Sequence, residues 1–132
     1  MEEYFDCGHA AMVPLSDLDK PTSEVFYLPM HIVHKESSST TKIRIVFDAS
    51  AKSSTGVSLN DVLVVGPTVH PPLVDVLLRF RFYRVALVAD ISRMYRAVSL
   101  PDSDRDLHRF VWRKSPDAPL QDYRMTRVTF GC

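Results

Sequence analysis

Asp90 is the residue in this chain best placed to do chemistry. It closes Val85-Ala86-Leu87-Val88-Ala89, an unbroken apolar run. A short run rich in Val and Leu reads as a buried strand. A carboxylate in such a run is costly to bury unless a cation pairs with it. Two readings follow: Asp90 ends the strand facing a cleft, kept ionised by a protein cation or a metal, or it is a strand-ending Asp in a turn. Residues 79–96 surround it with Arg79, Arg81, Arg84, Arg93 and Arg96 and no second acid. That block fits either a polyanion-binding face or a solvated Arg-rich surface. Tyr95 follows Asp90 by five positions, close enough for a tight turn to bring its ring back over the same cleft.

The other reactive side chains lack the spacing their chemistries need. His31-x-x-His34 lies on a predicted strand, where that spacing puts the two rings on opposite faces. Cys7-x-His9 has no further ligands nearby, and there is no zinc pattern, P-loop or GxSxG. Asp48-Ala49-Ser50 lacks the glycine two residues after the Asp that an aspartic-protease loop requires, and no second copy exists.

The elements that must position Asp90 can be placed in order. Glu2 to Ala11 is expected to form a short amphipathic helix, and Val13 to Ser23, with Pro14 and Pro21, reads as a linker. Val25 to Val33 reads as a strand interrupted at Pro29, hence edge-like or bulged. Residues 35–41 form a polar tip, and residues 42–48 alternate as the returning strand of a β-hairpin. Gly66-Pro67 and Pro71-Pro72 make a turn. Leu73 to Phe82 is an amphipathic helix expected to lie on the sheet with Phe80 and Phe82 in the core. Ala97 to Leu100 reads as a short strand. Pro101 to Asp104 opens a short helix. Residues 108–113 and 122–128 form two strands around a turn at residues 115–119, with Trp112 as packing.

A chain of 132 residues that is 45% hydrophobic and 24% charged suits one small α+β domain with a modest core. Net charge is zero, which by itself argues against nucleic-acid binding, but the charge is unevenly spread: residues 1–30 hold six carboxylates against Lys20. Cys7 and Cys132 stand at opposite ends and give no disulfide framework, so a reducing interior is expected. The acidic N-terminus is unlike a signal peptide, and no apolar run approaches the roughly 20 residues of a membrane span.

The order of motifs resembles the reverse transcriptases, most closely those of BEL/Pao LTR retrotransposons. The residues that carry it are the Val46-Phe47-Asp48-Ala49-Ser50 strand end, the Ser58-Leu59-Asn60 step, Asp90 with Tyr95, and Val128-Thr129-Phe130-Gly131; Gly8-His9 matches as well. The resemblance covers about residues 27–131. It implies a fragment of a polymerase right-hand fold: a helix and linker over residues 1–24, β-hairpin fingers over 25–84, and the start of an antiparallel-sheet palm with packed helices over 85–132.

The same resemblance implies roles. Lys35, Lys42 and Arg44 would grip the triphosphate of a deoxynucleoside triphosphate. Asp90 and the carbonyl of Ile91 would hold metal, two Mg²⁺ or Mn²⁺ ions in the complete enzyme. Tyr95 would exclude ribonucleotides, and Phe130 and Gly131 would begin a loop near template and nucleotide. Expected partners are a primed RNA or DNA template and the remainder of a pol polyprotein, in a cytoplasmic particle or the nucleus, without a membrane. The later Asp-Asp pair and the thumb are not in this sequence, so the segment alone is expected to be inactive. The alternative is a non-catalytic, domesticated or degenerate remnant, at most a nucleic-acid-binding module.

Overall fold

Alternating apolar residues in Ile43–Phe47 and the run after Pro29 make the first hairpin. In the computed structural model, which describes residues 1–34, 36 and 43–129, β2 (Met30–His34) pairs antiparallel with β3 (Ile43–Phe47), from Met30 opposite Phe47 to His34 opposite Ile43. Pro29 marks the start of β2, as expected of a residue that cannot donate to a ladder.

A second sheet has the order β1 (Ala10–Met12), β5 (Gln121–Met125), β4 (Arg109–Trp112), all antiparallel. Residues 115–118 turn between β4 and β5, with the Ala118 amide donating to the Ser115 carbonyl at 3.1 Å. The segment before β2 runs beside β4: Phe26 donates to Asp106, Arg109 to Phe26, and Leu28 to Arg109, at 2.7–3.0 Å.

The core between the hairpin and the three-stranded sheet is aromatic. Phe47 and Phe110 meet edge-on at 5.1 Å, Phe110 stacks on Tyr123 at 5.7 Å, and Tyr4 reaches Phe47 at 6.3 Å. Leu28, Ala49, Leu59 and Met125 fill the remainder and are buried. Two motif stretches are explained by packing and capping. The Asp48 carboxylate accepts from the Ser50 amide, the Ser50 hydroxyl and the Ala51 amide, turning the chain after β3 so that Ala49 is enclosed. Ser58 and Asp61 cap one another reciprocally at the start of α3 (Leu59–Val62), at 3.0 and 3.3 Å, and this seats Leu59 in the core.

The chain divides into two units, residues 1–62 with 93–132, and residues 63–92. The second holds α4 (Leu73–Phe82), whose bounds match the expected helix. Several expectations are corrected. The N-terminal helix is only α1 (Glu2–Asp6), because Gly8 turns the chain at φ +64 and residues 10–12 become strand. The presumed linker contains α2 (Leu15–Leu18). No residue of α4 is buried, and Phe82, expected in the core, is 87% exposed. Val85 to Ala89 forms no strand, and Leu87 is 88% exposed. Its residues have strand preference, but among the described residues no neighbouring strand offers backbone partners, and a strand cannot satisfy its own N–H and C=O groups. The short strand expected over Ala97 to Leu100 is not formed: Ala97 ends a 3₁₀ turn (Met94–Ala97), and Ser99 makes an isolated bridge with Arg127.

Candidate functional site

The expected polymerase residues fall in different places. Arg44 lies one residue inside β3, opposite Val33, exposed at the end of the hairpin that leads to the tip. Lys35 and Lys42, like Phe130 and Gly131, lie outside the described residues. Asp90 and Ile91 belong to the unit of residues 63–92 and are exposed. Tyr95 belongs to the other unit, on the 3₁₀ turn Met94–Ala97.

A carboxylate and a peptide carbonyl, as Asp90 and Ile91 supply, are the hard oxygen donors that Mg²⁺ takes. Among the described residues, however, no three His, Cys, Asp or Glu side chains gather where they could hold an ion. These residues alone do not fit a two-ion centre.

Among the described residues the densest charged cluster lies elsewhere, on the face where β4 and β5 meet the N-terminal segment. Asp106 and Arg109 are both buried, Arg109 to 1% exposure, and the Arg109 Nε donates to Asp106 Oδ1 at 2.9 Å. Lys20 Nζ reaches Asp106 Oδ2 at 2.6 Å, and an Arg124 guanidinium nitrogen bridges Asp106 at 3.1 Å and Asp17 at 2.8 Å. The rest of the Arg109 fork donates to the Asp17 carbonyl and the Tyr27 hydroxyl, and Tyr27 donates in turn to Asp122. Burial pushes the Asp106 carboxyl up, but the hydrogen bonds from Lys20, Arg109 and Arg124 outweigh it and hold it at about 2. With every acceptor engaged and the acid pinned ionised, the cluster ties residues 17–27 to the sheet; it has no titratable group poised near neutral pH for proton transfer. Reading residues 13–23 as linker hid it. The signal was Asp106-x-x-Arg109 together with Lys20, the one cation among six nearby acids.

A second group surrounds Glu3. Arg93 and Arg96 both reach Glu3 Oε1, at 2.7 and 3.4 Å, and the Arg96 guanidinium lies 4.9 Å above the Tyr4 ring. Arg127 donates to the Ser99 hydroxyl. Burial and the charges of Arg96, Arg127 and Arg93 together hold the His9 imidazole below its ordinary range.

No protein-family model matches the chain, and no curated protein is significantly similar to it.

Proposed function

We propose that this chain is a segment of an RNA-directed DNA polymerase of the BEL/Pao type, comprising fingers and the first part of a palm. The observation that best supports the reading is the β2–β3 hairpin. Its second strand ends in Val46 and Phe47, which open the first motif stretch, Arg44 lies on that strand opposite Val33, and the Asp48–Ala51 turn and Ser58–Asp61 cap give structural reasons for the two motif stretches. An arginine there offers a planar fork of donors to phosphate oxygens. Asp90 contributes one carboxylate of a set completed by residues beyond this segment.

The test is primer extension. The longer reading frame that contains this segment, purified and given a primed RNA template with deoxynucleoside triphosphates, is expected to extend the primer. A folded product that binds primed template without extending it would favour the alternative of a nucleic-acid-binding remnant.

A further inference from the structure

We infer that Arg93 and Arg96 form a phosphate-group site that Glu3 occupies from within the chain. Two guanidiniums meet at one carboxylate, that of Glu3. Both Arg93 and Arg96 converge on the same oxygen of that carboxylate, at 2.7 and 3.4 Å. Guanidiniums make charge-assisted hydrogen bonds to phosphate oxygens as they do to a carboxylate. Glu3 supplies a single negative charge against two positive ones, so the group is left cationic.

One polar atom strengthens the assignment. Arg96 Nε is enclosed and has no hydrogen-bond partner among the described residues. A side-chain donor left unpaired in this way is costly. Phosphate, with more acceptor oxygens than a carboxylate, could accept from Nε where the Glu3 carboxylate does not. The Tyr4 ring under Arg96 fixes that guanidinium, whose side chain is 12% exposed, while Arg93 at 51% is open to solvent. The site therefore has one anchored and one adjustable arginine, and its occupant, Glu3, sits on the five-residue helix α1 and is itself half exposed. Glu3 can leave without unmaking the core. The ligand is a phosphate group, either free or as part of a nucleic-acid backbone. The inference does not rest on the polymerase reading, because it concerns binding without catalysis.

The experiment titrates the purified 132-residue chain with inorganic phosphate and, separately, with a short single-stranded oligonucleotide, following amide NMR shifts at low salt. Glu3→Gln removes the internal competitor and is expected to tighten binding by about fivefold, the upper end of what an exposed ion pair is worth. Arg93→Gln, at an exposed position, is expected to weaken it in both backgrounds. A gain in the Glu3 variant counts only where its amide spectrum keeps the parent's dispersion, which shows that the fold is intact. Tightening for phosphate alone identifies a free-phosphate site, and tightening for the oligonucleotide a backbone site. Unchanged affinity for both in Glu3→Gln, or an unchanged Arg93→Gln, would overturn the inference.

Discussion

At the residue scale, Asp106 carries the sharpest stability prediction. Its folded pKa, about 2, lies below the ordinary value of 3.8. A depressed carboxylate contributes stability that is present above its unfolded pKa and lost as pH falls through the folded value. Unfolding free energy measured by urea should therefore drop as pH is lowered from about 4 to about 2. Asp106→Asn should flatten that slope. It should also cost about 3–5 kcal/mol at neutral pH, since it leaves the buried Arg109 without its counter-charge. A variant with unchanged stability would mean the cluster is not what ties residues 17–27 to the sheet. At Asp106 only the partner three residues on, Arg109, was legible: the partners Lys20 and Arg124 lie 86 and 18 residues away, and pairing at that range is set by topology rather than local pattern. Tyr95 belongs to this scale too. In the proposed polymerase, Tyr95→Val should raise the kcat/KM for a ribonucleotide relative to its deoxy counterpart, because the ring excludes the 2′-hydroxyl by clash. An unchanged ratio with intact folding would remove Tyr95 from the nucleotide site.

At the scale of elements, what the sequence showed clearly was whatever is fixed by neighbours in the chain. Both hairpins, the break at Pro29 and the span of α4 follow from alternation, turn residues and proline. The Val85–Ala89 run failed because apolarity records a demand for burial, and a strand also needs a partner that local sequence does not name. Residues 13–23 failed in the opposite sense: proline and polar residues resembled a linker, while the helix α2 and the ion pairs of Asp17 with Arg124 and Lys20 with Asp106 gave them a fixed place. Two elements invite variants. Ser58→Ala removes one half of the reciprocal cap on α3 and should cost about 1 kcal/mol, measurable by thermal or urea unfolding. Arg44→Ala, on the exposed end of β3, should leave stability unchanged. In the proposed enzyme it should raise the KM for deoxynucleoside triphosphate by roughly ten- to a hundred-fold, the worth of a charge-assisted contact to phosphate. A loss of primer–template affinity with KM unchanged would move Arg44 to the nucleic-acid track.

At the scale of the molecule, the two units differ in how they are held. Residues 1–62 with 93–132 share an aromatic core, three-stranded sheet and buried ion cluster, whereas residues 63–92 bury none of their α4 side chains and expose Val85, Leu87 and Val88. An exposed apolar surface of this kind promotes association, so the chain expressed alone should form concentration-dependent oligomers, seen by light scattering. Among the described residues no helix is long and apolar enough to cross a membrane. The central claim, that this is polymerase sequence with Asp90 at the reacting centre, is tested most directly by one comparison. Primer extension with Mg²⁺ is measured for the longer reading frame and its Asp90→Asn variant, with folding of both checked by circular dichroism. The account predicts extension by the parent and almost none by the variant, at equal fold. Near-parental extension by Asp90→Asn would contradict it.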